Sequence, residues 1–180
     1  MQILINNVDE IVSAIYKKND IDDLHDFQNT KQEHLMSKVS SYFNIKVHFT
    51  DDISESNYFG QSYRIFLDVN KTRKKQWQEF AFHTGSILLY RLYGERIDHS
   101  GLLLNTARIF AYEFCSPLFL LEEIGEEIEQ VYYKESFLCI LLIMHEFNIE
   151  YHFAIKRLAF LNYQKILEKG EHQNGKLPEI

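Results

Sequence analysis

The 180-residue chain has few residues that interrupt regular structure, with 7 Gly and 2 Pro. A turn-rich all-β fold uses many of both, so their scarcity favours long helices. The composition typical of disorder is also missing, because hydrophobic residues make up 46% of the chain and include 14 Phe and 11 Tyr. These features predict one globular domain over residues 1–170, followed by a flexible tail over residues 171–180.

Positive charge is in the minority, since 19 Lys and Arg against 26 Asp and Glu give a formal net charge of −7. An acidic chain repels the phosphate backbone, so direct binding to nucleic acid is not expected. The longest apolar run, Phe137 to Met144, covers eight residues, whereas a helix needs about 20 to cross a bilayer. A membrane is therefore not expected as a partner either.

Cysteine is scarce as well, and no CxxC or Cys/His spacing typical of structural zinc is present. Cys115 and Cys139 both lie in apolar runs, which is typical of buried, reduced thiols. The first ten residues lack a basic region ahead of an apolar stretch, so no export signal is recognised. The combination predicts a cytoplasmic protein.

Helical signals dominate both ends of the chain. Capping-box patterns at residues 7–10 and 30–33 predict two helix starts, with the acidic stretch 20–26 as a connection between the helices. From about Thr72 onward the apolar spacing is helical. One predicted helix ends near Tyr93, and another is stopped by Pro117, because the residue before proline avoids helical geometry. A further helical pair is predicted at residues 137–146 and 151–167.

The period changes to two in the middle of the chain. Ile45, Val47 and Phe49 alternate with polar residues, a short strand is indicated near Tyr58, and alternation returns from Tyr63 onward. Residues 45–69 therefore predict a small sheet of two or three strands, antiparallel or mixed. The short connections favour the antiparallel arrangement. The predicted fold class is α+β and predominantly helical.

Four local segments in this order resemble the ImmA/IrrE family of metallopeptidases. The most specific is Phe110 to Pro117, which is similar to the family's F-A-x-E-x-x-x-P segment, in the version found in phages and mobile elements. The other three segments are Phe43-Asn44-Ile45 with the strand that follows it, Tyr63 to Asn70, and Phe147-Asn148-Ile149 with Arg157-Leu158. The resemblance spans roughly residues 30–168 and implies a zincin-like fold.

In active members of that family a long helix carries H-E-x-x-H, whose two His bind zinc while the Glu acts as general base. The resemblance places this segment at residues 82–88. His83 matches the first ligand, but Thr84 replaces the general base and Ile87 the second His. Thr106 stands where the next helix should supply the third ligand.

Three of the four functional positions thus lack the required chemistry. Catalytic zinc takes about three protein ligands, and a hydroxyl without an activator stays protonated at neutral pH. We therefore expect a pseudoenzyme that has no catalytic residues and binds no metal or other cofactor, with His83, Thr84, Ile87 and Thr106 as the remnant of the metal site.

Other interpretations of these residues stay open. His83 also fits a partly buried core histidine with one hydrogen bond. Nearby acidic residues and one His are candidates for a rebuilt metal site, although their spacing matches no known ligand pattern. These residues are Glu79, Glu95, Asp98, His99 and Glu113.

An acidic segment supplies a candidate surface for a partner. Glu122, Glu123, Glu126 and Glu127 surround Ile124 and Ile128, which lie four residues apart. An acidic rim with apolar anchors would suit a basic helix-turn-helix repressor, whereas the alternative is an exposed amphipathic turn.

The resulting hypothesis is a catalytically inactive regulatory protein of a phage or mobile element. It would bind a helix-turn-helix repressor as an anti-repressor or co-repressor in lysis–lysogeny control. The predicted docking region is a groove between the helices 77–93 and 102–115, lined by the four remnant residues. The alternative is an active zinc peptidase that has atypical ligands and cleaves a repressor. A third class, a DNA-binding regulator built on residues 147–158, is disfavoured because few cations lie there.

Overall fold

A computed structural model describes residues 2–59, 62–93, 101–125 and 136–174. These ranges contain eight helices and three strands. The helices are α1 (Gln2–Lys18), α2 (Leu24–Asn29), α3 (Gln32–Tyr42), α4 (Arg73–Tyr93), α5 (Gly101–Cys115), α6 (Leu118–Glu123), α7 (Ser136–Glu146) and α8 (Tyr151–Asn174). The strands are β1 (Ile45–Thr50), β2 (Glu55–Phe59) and β3 (Ser62–Asp68). The predominantly helical α+β class is confirmed.

The sheet is mixed, with the strand order β1-β3-β2. β3 pairs antiparallel with β2, placing Tyr58 opposite Tyr63, and parallel with β1, placing Ile45 opposite Tyr63. The purely antiparallel arrangement that the short connections favoured is therefore wrong. β2 lies beyond β3 instead of beside β1, so the two strands that run in the same direction become neighbours.

The core lies where α4 packs between β3 and α5. Ile65 and Leu67 on β3 are fully buried because they occupy alternate positions on one face of the sheet. Trp77 of α4 meets Phe114 of α5 with ring centroids 5.0 Å apart. α4 is thus covered by a sheet on one side and by a helix on another.

Gly85 permits the close approach of α4 and α5. A Cβ atom at this position would lie 2.8 Å from Cβ of Phe110, closer than packed side chains tolerate. The contact leaves no groove between these two helices at this point.

The N-terminal helix starts differ from the predicted ones. α1 begins at Gln2, so the pattern at residues 7–10 lies inside the helix. Lys31 caps α3 without a side-chain hydrogen bond, while Thr30 Oγ1 donates to the Asp26 carbonyl at the end of α2. The acidic stretch is not merely a connection, because Asp23 accepts from the Asp26 N–H and starts α2.

The later helix boundaries agree better with the sequence. α4 ends at Tyr93 and α5 ends at Cys115, two residues before Pro117. Asn148 separates α7 from α8 in the left-handed conformation, with φ of 49°. α8 continues to Asn174, so the helix enters the segment predicted as a tail, and residues 175–180 lie outside the described ranges.

Both cysteines are free and buried. In the described part of the chain no single helix has the length and apolar character needed to span a membrane. Phe137–Glu146 and Tyr151–Asn162 reach that threshold only as a pair, and the pair is bent by 109°.

Candidate functional site

An open cleft of about 380 Å³ lies on the side of α4 that faces α8. Its walls come from α4, α5 and α8, and the residues just before β2 and α8 complete its edge. The lining side chains are Ser54, Lys75, Gln78, Glu79, Phe82, His83, Arg108, Ala111, Tyr112, Glu150, His152, Phe153 and Lys156. Three helices and the segment before β2 therefore contribute polar groups to one space.

His83 lies in this cleft and is partly buried. Its Nδ1 is 3.1 Å from the Ser56 hydroxyl on β2. Burial lowers the pKa of His83 below its usual 6.5, while Glu79 and the backbone of Ser54 act in the opposite direction. The side chain is hydrogen-bonded within the protein, as expected of a core histidine, and it also borders the cleft.

Glu79 lies one helical turn before His83 on the same face of α4. Its carboxylate accepts hydrogen bonds from Lys71 Nζ at 2.7 Å and from the Ser54 hydroxyl at 2.5 Å. Its oxygens are thus already engaged by the chain's own donors, which fix the segment before β2 against α4.

The other three remnant positions do not line the cleft. Thr84 is 0% exposed and Ile87 is 5% exposed, on the side of α4 that faces the core, and Thr106 is also buried. The predicted lining of a groove between α4 and α5 is therefore wrong at these three positions, where the helices pack on each other, and of the four remnant residues only His83 lines the cleft. The accessible face of α4 instead carries Gln78, Glu79, Phe82 and His83.

Glu113, considered as a rebuilt ligand, belongs to a separate buried cluster. Both of its oxygens accept from the Arg157 guanidinium, one of them at 2.7 Å, and the two side chains are 1% and 0% exposed. Arg157 also donates to the Ser116 carbonyl at 3.0 and 3.2 Å. This bidentate pair joins α5 to α8 and leaves Glu113 unavailable to the cleft.

Asp9 of α1 completes this buried cluster. The pKa of Asp9 is raised from 3.8 to about 7, first by burial and then by the nearby Glu113 carboxylate, while Arg157 acts in the opposite direction. A protonated Asp9 is able to donate a hydrogen bond to Glu113. α1, α5 and α8 therefore meet at one polar cluster.

The candidate acidic rim is only partly within the described residues. Glu122 and Glu123 are exposed, and Glu123 accepts from the Leu24 N–H at 3.1 Å. Ile124 is 7% exposed and packs in the core, so it does not present an apolar anchor. Glu126, Glu127 and Ile128 lie outside the described residues, as do the candidate ligands Glu95, Asp98 and His99.

The residues of the cleft do not fit a catalytic zinc ion. Within the described ranges, no group of three or more His, Cys, Asp or Glu side chains comes together as a metal site. In the cleft, His83 Nδ1 contacts Ser56, and Glu79 is held by Lys71 and Ser54. The donor set thus falls short of the three ligands that catalytic zinc takes.

Sequence reasoning missed Gln78, Arg108 and Lys156 as cleft residues. Gln78 directly follows Trp77 and is 4% exposed, and its Nε2 has no hydrogen-bond partner among the described residues. A polar side chain between Trp77 and Phe80 was the available signal. For Arg108 and Lys156 no local signal existed, because their roles depend on how α5 and α8 face α4.

The chain is similar to two proteins of Bacillus subtilis strain 168. It is 26% identical over 165 residues to phage-like element PBSX protein XkdA, covering 89% of this chain and 76% of that protein. It is 25% identical over 173 residues to the uncharacterized protein YqaB, covering 93% and 91%. No family model matches the chain. No solved structure matches it either. The first similarity supports the expected association with a phage or mobile element.

Proposed function

We propose that this chain is a regulatory protein of a phage-type element that binds a helix-turn-helix repressor without cleaving it. The make-up of the cleft carries the proposal. Aromatic, cationic and amide side chains line a space of about 380 Å³ that is open to a partner's side chains. The polar groups that a hydrolytic site would use, His83 and Glu79, are instead bonded to the chain's own side chains. Such a surface is suited to recognition.

Two further observations support this proposal. The similarity to a protein of the phage-like element PBSX extends over 89% of the chain, so it concerns the whole domain and not one motif. The residues that replace the general base and the second ligand in the family resemblance, Thr84 and Ile87, contribute to packing. We infer that the scaffold has kept its fold while Thr84 and Ile87 took a packing role at the positions of the former metal site.

Purification with a repressor tests the proposal. The chain is co-expressed with the helix-turn-helix regulator encoded beside its gene, and the mixture is separated by size-exclusion chromatography with light scattering. We expect a complex of defined stoichiometry in which the repressor keeps its full mass. Separate elution of the two proteins at micromolar concentrations would contradict the proposal.

The second candidate is the alternative that the sequence left open, the active zinc peptidase with atypical ligands. His83 and His152 line the same cleft together with two glutamates. Incubation of the repressor with the chain and added zinc, followed by intact mass spectrometry, separates the two functions. Cleavage that chelation abolishes and that Ala in place of His83 removes would support the peptidase.

A further inference from the structure

The cleft is a cationic site on an acidic protein. Lys75 of α4, Arg108 of α5 and Lys156 of α8 converge on it from three helices. Lys75 approaches Glu79 only at 4.0 Å, and Arg108 donates to the neutral amide oxygen of Asn105 at 3.1 Å. In the described part of the chain no carboxylate lies within ion-pair distance of Arg108 or Lys156. Of the three cations, only Lys75 therefore lies within ion-pair distance of a carboxylate among the described residues, and the cations outnumber the two glutamates that line the cleft.

The carboxylates at the same cleft already have donors. Glu79 is held by Lys71 and Ser54, as described above, and its side chain is 17% exposed. Glu150 accepts from the Thr72 hydroxyl at 2.8 Å. The hydrogen-bonding groups that remain available in the cleft are thus mostly donors. A ligand that supplies hydrogen-bond acceptors would complement them.

Gln78 adds a buried donor beneath these charges. Its Nε2 is without a hydrogen-bond partner, although the residue lines the cleft. Next to it are aromatic side chains, with Tyr112 and Phe153 in an edge-to-face pair at 5.1 Å. An occupant with acidic and apolar side chains would satisfy both features, because carboxylates pair with the cations and an apolar side chain covers the rings.

We propose that the cleft binds an acidic peptide segment of the partner, in which carboxylate side chains flank an apolar one. The inference rests on the proposed function, since it names the part of the partner that the cleft contacts. Lys75, Arg108 and Lys156 bind the carboxylates, and the amide of Gln78 positions the segment. A phosphate backbone would meet the same cations, but the net charge of −7 opposes its approach.

A charge-removal experiment with fluorescent probes tests this inference. The probes are a labelled twelve-residue peptide of Glu, Asp and Leu, its counterpart of Lys, Arg and Leu, and a labelled DNA duplex. The cleft variant combines Lys75→Gln, Arg108→Gln and Lys156→Gln. The matched control combines Lys17→Gln, Lys38→Gln and Lys46→Gln, which removes the same charge from exposed positions that do not line the cleft.

We expect fluorescence anisotropy to show binding of the acidic peptide only, weakened by added salt. The cleft variant loses three exposed charge pairs with the peptide carboxylates, so we expect it to bind the peptide about tenfold more weakly than wild type. The control should stay within about twofold, and circular dichroism should show that both variants fold. Equal binding of the acidic and basic peptides, equal affinity of the cleft and control variants, or tighter binding of the duplex would overturn the inference.

The same variants, tested against the full-length repressor, separate this inference from the proposed function. A repressor that binds wild type and the cleft variant equally would overturn the inference and leave the proposed function standing. If the repressor never binds while the acidic peptide does bind through the cleft, the proposed function is overturned. The same result would support the chemistry inferred for the cleft.

Discussion

Lys156 and Arg157 are consecutive in sequence but lie in two different regions of the molecule, the cleft and the buried cluster around Glu113. Arg157 is fully buried, and its guanidinium bonds both oxygens of Glu113 and the Ser116 carbonyl. Lys156 is exposed at the cleft. The buried cluster satisfies its charges internally and joins three helices, whereas in the cleft Arg108 and Lys156 have no ion pair among the described residues. Side chains of the same charge thus stabilise the fold in one region and are available to a ligand in the other.

The difference follows from solvation. Removing a charge from water costs several kcal/mol, so a buried guanidinium is tolerated only with a bidentate partner and further acceptors. An exposed ammonium keeps its hydration and needs no partner, which leaves it free to exchange water for a ligand's carboxylate.

Replacing Arg157 with Met should have the largest effect. The substitution leaves Glu113 buried without its partner, which costs about 3–5 kcal/mol in the free energy of unfolding. Urea titration followed by circular dichroism measures the change. Adding Glu113→Leu should restore part of the loss, and Lys156→Met is the matched neighbour that should change little. A loss below about 1 kcal/mol for Arg157→Met would show that the cluster does not stabilise the helix junction.

Substituting Ala for Gly85 should be next in size. The added Cβ would lie 2.8 Å from Cβ of Phe110, an atom that no rotamer change can move. Overpacking of this kind costs about 1–3 kcal/mol. Gly125→Ala is the control, because a Cβ there meets nothing within 4 Å. Equal free energies of unfolding for the two variants would contradict this prediction, because they would mean that α4 and α5 can move apart without a loss of stability.

Asp9 gives the buried cluster a pH dependence. Its folded pKa of about 7 lies above the usual 3.8, so the folded state holds a proton that the unfolded state releases. Stability from this group is therefore greatest below about pH 4 and falls as pH rises towards 7. Asp9→Asn should stabilise the protein by about 1 kcal/mol at pH 8, a value reduced because Asp9 is half-buried, and by much less at pH 4.5. Urea titrations at both pH values check this, and a gain confined to pH 4.5 would contradict it.

Removing one cleft cation should leave the fold nearly unchanged. Lys156→Gln removes an exposed charge with no ion pair among the described residues, so the expected change in unfolding free energy is within about 0.5 kcal/mol. The same urea titration measures it. A larger loss would place Lys156 in the stabilising part of the molecule and weaken its assignment to the cleft.

Local sequence signals determined most elements but not the arrangement of the sheet. Alternation identified β1, and Pro117 marked the end of α5, since both depend on neighbouring residues. β1 pairs in parallel with β3 because β2 lies on the far side of β3. The spacing of residues along the chain does not encode that position of β2. Similarly, the half-buried Asp9 was interpreted as part of a helix start, because Glu113, which it meets in the fold, is more than a hundred residues away in sequence.

The site was only partly predictable for a related reason. The central part of α4 is apolar on several faces, because the sheet covers one side and α5 another. Periodicity therefore does not distinguish the core side, with Thr84 and Ile87, from the cleft side, with Phe82 and His83. His83, singled out from the sequence, lies in the cleft, and its functional role, like the regulatory binding role, remains a prediction.

Hydrogen exchange of the chain, with and without the repressor, tests most directly whether the cleft is the docking region. Mass spectrometry of peptides from α4, α5 and α8 reports local protection. We predict slower exchange at residues 75–83, 108–112 and 152–156 in the complex, with no change in β1. Protection confined to residues 118–125, with the cleft segments unchanged, would contradict this and place the partner on the acidic surface instead.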